Sequence, residues 1–585
     1  MNKKRSDFSR GRKTQRQKKE NVPTFSKVNE KKLRIIPLGG QEEVGRNMTV
    51  FEYDDQIIIV DMGLQFPEED MPGIDFIVPN TDYLKGKEKN IKAVVFTHGH
   101  LDHIGAAPIL LKKLGYPPII GRDLTLAMVK HRLEDYQKGS SKMLKTTRIS
   151  HEKALLNFGE IKLYFFSVEH SIMDSIGVAV STPAGTAIHM GDWTLDIGKK
   201  EEIKVSYEFL RTLPRPTILM MESLGSLKKG QSVTEEDLWK NFKKVIDEAS
   251  GRIIIGTFSS QIKRIKDIIE YAGEIGKKVV LDGYSMKLNI EIAKELGYIK
   301  NTKDILIDVK EMDRQPENRI IVLCTGAQGE DRAVLSRIIT GNHRYIKITK
   351  NDTVVFSSSI IPGNERTIQR LKDNFYRKAG NVIHSEVMDV HVSGHNNIEA
   401  IQSLIKQAEP DYLVPVYANH YFLKEAKKVA QGIGFPGKNV FILDNGNVLT
   451  FSRNEDPMIE KNKVETGYVF VDGLGIGDVG QVVLRDRQML SQDGMFVVTV
   501  LVDSKTKEII GNIQVTSRGF IYVKENFDLV NATKRVVKKV IEQNTSSDTS
   551  INWELLKKNI RDEVGLFLFK KTERRPMVLP VVIEV

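Results

Sequence analysis

The sequence predicts an α/β protein built in layers, on three observations. Short apolar runs of strand length repeatedly end in aspartate or histidine. Gln56-Ile57-Ile58-Ile59-Val60 ends at Asp61, Ala93-Val94-Val95-Phe96 at His98, Ile161-Lys162-Leu163-Tyr164-Phe165-Phe166 near His170, and Thr186-Ala187-Ile188-His189-Met190 at Asp192. A second set of apolar runs, including Arg252-Ile253-Ile254-Ile255 and Lys278-Val279-Val280-Leu281, fills the chain between about residues 226 and 390. Beyond about residue 455, Phe496-Val497-Val498-Thr499-Val500-Leu501-Val502 and an amphipathic stretch near 527–543 predict a small α/β module. At 585 residues the chain holds core enough for three or four domains.

Composition narrows the class. A 40% hydrophobic and 28% charged content is that of a globular protein. The single cysteine, Cys324, excludes an internal disulfide and fits a reducing cytoplasm. No apolar run approaches the roughly 18 residues of a membrane span, so no membrane association is expected. The charged N-terminus lacks the apolar segment of a secretory signal. Residues 1–32 hold 12 Lys/Arg against 3 Asp/Glu, which is +9 of the chain's +11. Basicity therefore belongs to a tail, expected to be disordered and of the kind that grips phosphate backbones.

In chain order, Leu33 to Tyr53 reads as two strands around Leu38-Gly39-Gly40-Gln41-Glu42-Glu43-Val44-Gly45-Arg46-Asn47. That loop lacks the Lys-Ser/Thr of a P-loop. Asp54-Asp55 turns the chain into the strand that ends at Asp61, a residue placed to orient neighbouring ligands or to cap the next turn. The densest chemistry follows. Thr97-His98-Gly99-His100-Leu101-Asp102-His103 gathers three imidazoles and a carboxylate, in a chain with only 12 histidines, between a strand and a helix N-terminus. Imidazole with carboxylate suits zinc or manganese, and shared donors suit a two-metal site.

His170 and Asp192 add strand-end donors, and Ile218-Leu219-Met220-Met221-Glu222 ends a further strand in an acid. After the inserted segment comes His391-Val392-Ser393-Gly394-His395, then a strand at Tyr412-Leu413-Val414-Pro415-Val416. Arg453-Asn454-Glu455-Asp456-Pro457 reads as the start of a linker.

His-x-His-x-Asp-His, a later His and Gly-Asp, each after a strand, resemble the metallo-β-lactamase superfamily. The acid, the insertion and Ser393-Gly394-His395 resemble its β-CASP branch, whose members cut nucleic acids. Asn47-Met48-Thr49-Val50, Phe66-Pro67-Glu68-Glu69, Cys324-Thr325-Gly326-Ala327-Gln328-Gly329-Glu330 and Arg574-Arg575-Pro576-Met577-Val578-Leu579-Pro580 are similar to ribonuclease J. The resemblance spans residues 33–585. It implies an αββα sandwich in two parts (33–232 and 394–455) around a β-CASP α/β domain (233–393). A linker (456–466) and a small C-terminal α/β domain (467–585) follow, with the basic tail at 1–32.

The resemblance also implies a site. His98, His100 and His170 would hold one metal, Asp102 and His103 the other, with Asp192 bridging. Zinc is the expected ion, with manganese or magnesium as alternatives. Glu222, His395 and Asp102 would be catalytic. Phe258, Ser259, Ser260, His391, Val392, Ser393, Gly394 and His395 would contact RNA, and Ser357, Ser358 and Ser359 would line a 5′-phosphate pocket. Asp75 and Asp472 correspond to a structural calcium contact.

One position departs from the family pattern. A further metal-binding histidine is expected after the Pro415-Val416 strand end, where this chain has Tyr417. A phenol, with a reference pKa of about 10, replaces imidazole poorly. Either the second metal is weak or absent, or His420 reaches in, or activity is lost; Asp61 stands as ligand or supporting residue. The implied function is a metal-dependent ribonuclease with 5′-to-3′ exonuclease and also endonuclease activity in RNA decay and in rRNA and mRNA maturation. The competing reading is a catalytically impaired RNA-binding or scaffold subunit. Expected partners are 5′-monophosphorylated RNA, further copies of the chain as homodimer or homotetramer, and a ribosome or RNA-decay complex. A small-molecule lactonase-like hydrolase would explain the histidines but not the insertion, the Ser-Gly-His or the tail.

Overall fold

Period-two burial divides each strand of the first half of the chain between two cores. Leu33, Ile35, Phe51, Ile58, Val60 and Val95 face Leu163, Phe165, Val178, Val180, Ile218 and Met220 across one buried layer. Their alternates Ile36, Val50, Ile57, Ile59 and Val94 face outward, under Ile104, Leu110, Leu111, Leu126 and Val129 of three helices. On the far side Ala179, Ile188, Leu219, Met221 and Leu413 pack under Ile401, Leu404, Ala426 and Ala430 of the helices Ile398–Ala408 and His420–Gly432. Helix, sheet, sheet, helix is the expected αββα sandwich. A computed structural model describes residues 31–585, apart from 151–153, 196–204, 231–233, 301, 331–332, 361–363, 393 and 546–549. Nearly all of the expected basic tail, and Ser393, lie outside the described residues.

The first sheet has eight strands and the second six. In the first, Gln56–Val60 runs parallel to Ile91–Val95; in the second, Gly185–His189, Thr217–Glu222 and Tyr412–Val416 run parallel. The carboxyl ends of these strands lead into the loops that carry Asp61, His98, Asp192, Glu222 and Tyr417, so their order aims those side chains at one place.

The inserted segment is a six-stranded, wholly parallel sheet, in the order Leu306–Ile307, Lys278–Asp282, Ile320–Cys324, Ile253–Thr257, Thr353–Ser357, Asn381–Ile383. Its strands are apolar on both sides, as in Ile253-Ile254-Ile255, because helices cover both faces. Ile253–Thr257 and Thr353–Ser357 are neighbours, so Phe258–Ser260 and Ser358-Ser359 leave the same edge together.

In the C-terminal module Met495–Val502 lies between antiparallel Ile509–Arg518 and parallel Met577–Glu584. Phe496, Val498, Val500 and Val502 are buried with residues of the helices Phe527–Thr545 and Trp553–Thr572. The linker expected at 456–466 is not continuous. Arg453-Asn454 form a hairpin turn, and Glu455–Ile459 is the edge strand of the eight-stranded sheet. Likewise Val469–Asp472 pairs with Phe76–Val78, so the start of the expected C-terminal domain is tied to the sandwich. Among the described residues no helix is long and apolar enough to cross a membrane.

Candidate metal centre

His98, His100, His170 and Asp192 converge with one ligand atom each within 4.8 Å of the others. His100 Nδ1 lies 3.1 Å from His98 Nε2 and 3.0 Å from His170 Nε2; Asp192 Oδ2 is 3.9 Å from both of those nitrogens. The opposite ring nitrogens are all engaged. His98 Nδ1 lies 3.0 Å from the Thr97 hydroxyl, His100 Nε2 lies 3.1 Å from Ser260 Oγ of the inserted domain, and His170 Nδ1 donates to the Gly394 carbonyl at 2.7 Å. Such outer bonds fix the tautomer and turn the lone pairs inward. Burial, joined by the neighbouring imidazoles, holds His98 well below the usual imidazole range and His170 at about 3; burial likewise lowers His100 to about 4. Neutral imidazoles do not ask an arriving cation to displace protons.

Asp102, His103 and Asp192 form a second group that shares the last carboxylate. His103 Nε2 lies 3.2 Å from Asp192 Oδ1 and 3.5 Å from Asp102 Oδ2. Burial disfavours charge on His103, but Asp192, Asp102 and Asp61 outweigh it and raise its pKa well above the usual value. Asp61, wholly buried, stands behind this ring and takes no place in either group. It accepts from His103 Nδ1 at 2.8 Å and from the Thr97 N–H and hydroxyl at 2.8 Å each. Its backbone is left-handed, φ 64°, a strained conformation stabilised by its N–H donating to the Val95 carbonyl. The donors are nitrogen and oxygen, mostly buried, and spaced as the edges of a coordination shell, so the residues fit metal ions.

Tyr417 lies beside the second group, its ring 5.4 Å from that of His103. Its hydroxyl is 2.8 Å from His189 Nε2, and burial together with Asp61 and Asp192 pushes its pKa well above the ordinary phenol value. The Gly39-Gly40 loop serves this packing. Gly40 has φ 87° and accepts from the Tyr417 N–H at 2.8 Å, and a Cβ there would come within 2.7 Å of the tyrosine ring. His420 does not reach the centre. It is 47% exposed and pairs with Glu42 at 2.7 Å, because Asn419 starts a helix that carries it outward.

Glu222 and His395 flank the shared carboxylate. His395 Nδ1 is 3.6 Å from Glu222 Oε2 and 4.0 Å from Asp192 Oδ2. Partial burial opposes its charge, but Glu222 and Asp192 raise its pKa to about 9. Glu222 is fully buried and bonded to the Leu224 N–H and to Asn396 Nδ2 at 2.6 Å; burial raises its pKa while His395 opposes the rise.

Phe258, Ser259 and Ser260 are half-buried at the rim, and Phe258 stacks edge-on to His391 at 6.5 Å. Val392 is half-buried and packs on the inserted domain's core, and the Gly394 carbonyl is spent on His170. Ser357 departs from expectation. It is fully buried, donates to the Val390 carbonyl at 2.7 Å and accepts from Arg264 at 3.0 Å, so it positions the pocket wall and leaves Ser358 and Ser359 nearer solvent. At the expected calcium contact, Asp472 is bonded to Arg487 and Asp75 accepts from the Gly473 N–H.

Four contributors escape a reading of the sequence: Asn47 beside His103, His189 under Tyr417, Arg264 behind His391 and Asn396 behind Glu222. Of these, Asn47 opens the Asn47-Met48-Thr49-Val50 match and Asn396 directly follows His395, while His189 and Arg264 carry no such signal.

Family profiles match three parts of the chain. The family profile described as "Metallo-beta-lactamase superfamily" matches residues 42–214, "Ribonuclease J, beta-CASP domain" residues 250–375, and "Ribonuclease J C-terminal domain" residues 482–585. The chain is 33% identical to "Ribonuclease J2" of Bacillus subtilis (strain 168) over 571 residues, covering 96% of this chain and all of the relative. It is 34% identical to "Ribonuclease J 1" of Streptococcus pyogenes serotype M3, over 94% of this chain and 97% of that one. A solved structure of a protein of unknown function from Enterococcus faecalis V583 superposes with a TM-score of 0.50 at 15% identity, covering 72% of this chain and 100% of that one, a likeness of fold.

Proposed function

Because the chain belongs to the ribonuclease J family of the metallo-β-lactamase superfamily, and is therefore a metal-dependent ribonuclease, we propose that it degrades RNA 5′-to-3′ from 5′-monophosphorylated ends and also cleaves internally, in RNA decay and in rRNA and mRNA maturation. The observation that carries this reading is the pair of ligand groups sharing Asp192, with Glu222 and His395 directly beside the shared carboxylate. We place zinc at the first group, with manganese or magnesium as alternatives at either.

When bound, the two ions supply the Lewis acidity that activates a water and stabilises charge on the phosphate. The chain's own part follows from its geometry. Asp192, shared by both groups, holds them in register. His395, kept protonated by Glu222, donates to the phosphate and passes its proton to the leaving oxygen as water's oxygen, its own proton taken by Asp102, bonds to phosphorus and the old P–O bond breaks. The RNA approaches between Ser260, which touches His100, and the His391–His395 loop. Exposed Leu579, Val581 and Ile583 on the C-terminal strand, beside Leu501 and Ile510, support assembly into a homodimer or homotetramer. The lone, buried Cys324 supports a cytoplasmic setting.

5′-labelled RNA carrying a monophosphate should be degraded faster than the same RNA with a triphosphate, and chelation should stop both. Equal rates that survive chelation would overturn the proposal. The scaffold reading is favoured by one observation, Tyr417 with its hydroxyl committed to His189. Turnover unchanged in His98→Ala would support it.

A further inference from the structure

The first ligand group offers four donors and the second, Asp102, His103 and Asp192, only three. The residues expected to complete the second group do not do so. The Tyr417 hydroxyl meets His189, and His420 pairs with Glu42 at the surface. Asn47 does reach it. This side chain is 2% exposed, and its Nδ2 lies 2.9 Å from His103 Nε2 and 3.3 Å from Asp102 Oδ2.

Three features make that position a ligand position. Asp61 accepts from His103 Nδ1, so Nε2 is the ring nitrogen that faces the centre, and the Asn47 amide sits in front of it. Donors around an ion at about 2.1 Å stand about 3.0–3.4 Å apart. The separations here are of that size: 2.9 and 3.3 Å from Asn47, and 3.2 and 3.5 Å from His103 to the two carboxylates. The backbone of Asn47 is also locked to the ligand loop, its N–H donating to the Asp102 carbonyl at 3.1 Å and its carbonyl accepting from Gly63 at 2.9 Å.

The other end of the amide is buried against Gly40, where a Cβ would come within 2.5 Å of it, and Oδ1 has no hydrogen-bond partner among the described residues. Turning the amide by half a rotation gives up no bond made by that oxygen, exchanges the Nδ2 donation to Asp102 for a place on the ion they would share, and sets Oδ1 where Nδ2 now stands.

We propose that Asn47 is the fourth protein ligand of the second metal, coordinating through Oδ1 where the family pattern places an imidazole after the Pro415-Val416 strand. The inference rests on the two-metal reading above. It makes the two sites chemically unlike. Three imidazoles and a carboxylate suit zinc at the first, whereas two carboxylates, an amide oxygen and one imidazole suit the harder manganese at the second.

The test is Mn²⁺ binding by the chelator-stripped full-length protein, read by metal content and by electron paramagnetic resonance. Wild type should bind two equivalents with a spin-coupled signal from ions sharing Asp192. Asn47→Ala should keep one equivalent at unchanged affinity and bind the second at least 10-fold more weakly, with loss of the coupled signal. Asn47→Asp should bind both, the second more tightly than wild type, and Tyr417→Phe should keep both. Two equivalents at wild-type affinity in Asn47→Ala would overturn the assignment of Asn47 and leave the two-metal reading standing. A single equivalent in wild type would overturn both. If Asn47→Ala does not fold, Asn47→Asp decides: a carboxylate in that place must tighten the second site, and unchanged affinity overturns the assignment.

Discussion

The hydroxyl of Tyr417 stands 2.8 Å from Nε2 of His189, with both rings buried next to His103. His189 Nδ1 accepts from the Gly191 N–H at 3.1 Å, so Nε2 carries the proton and donates to the phenol oxygen. Burial lowers the His189 pKa to about 3, so the pair is neutral. Removing the hydroxyl leaves a buried N–H without its acceptor, which costs about 1–3 kcal/mol. Tyr417→Phe should therefore unfold at lower urea concentration by that amount, with its metal content intact. Loss of a metal equivalent in this variant would make the phenol a ligand after all.

Burial of the first imidazoles has a consequence in acid. His100 and His170 titrate at about 4 and about 3 in the folded protein, but near 6.5 when unfolded. The unfolded chain therefore takes up protons first, so the metal-free protein should lose stability as pH falls from about 6.5 to about 4. Bound metal should hold its ligands through the same range. Denaturation midpoints of the stripped and loaded protein at pH 7 and pH 5 check this. Equal losses in both forms would show that these histidines are not at the metal.

Asp61 should tune the second metal without binding it. Its carboxylate turns His103 and anchors Thr97, which in turn contacts His98. Loss of such outer partners typically weakens metal binding about 10–100-fold. Asp61→Asn should weaken the second equivalent by that factor, against a smaller change at the first, measured by titration of the stripped protein. Complete loss of both equivalents would place Asp61 in the ligand shell itself.

The strands and the loop that carries His98, His100, Asp102 and His103 were legible in the sequence because both rest on local signals, whereas the sorting of these donors with His170 and Asp192 into two groups came only from the family resemblance. Apolar runs of strand length end in donors, and His98, His100, Asp102 and His103 sit within one loop. What could not be read arises from approach across the sandwich. Asn47 meets His103 and Tyr417 meets His189 only because separate strands end side by side. Ser357 shows the converse: a hydroxyl that suggests a ligand in a sequence is consumed by Arg264 and the Val390 carbonyl in the fold. The expected linker failed for a similar reason, since polar Arg453-Asn454 is as suited to a hairpin turn as to a connector.

Arg264 should govern substrate holding separately from metal. It is 3% exposed, and Nη1 bonds Ser357 Oγ at 3.0 Å and His391 Nδ1 at 3.2 Å, tying the edge of the inserted sheet to the His391–His395 loop. Arg264→Met keeps the bulk but frees both partners. It should raise KM for RNA several-fold with metal content unchanged. An unchanged KM would remove His391 from the RNA-binding surface.

The Glu222–His395 pair should set the alkaline limit of the proposed reaction. His395 lies 3.6 Å from Glu222, which with Asp192 raises its pKa to about 9 against the cost of partial burial. A raised imidazole pKa stabilises the fold fully below the unfolded value of about 6.5, and the contribution fades as pH rises through about 9. Activity that needs the imidazolium should fall over the same upper range. Glu222→Gln keeps the shape but removes the charge, so the descending limb should move down toward neutral pH, with a slower maximum rate. Single-turnover cleavage at saturating metal between pH 6 and 10, for wild type and Glu222→Gln, measures the shift. A descending limb at the same pH in both proteins would show that Glu222 does not hold the proton on His395.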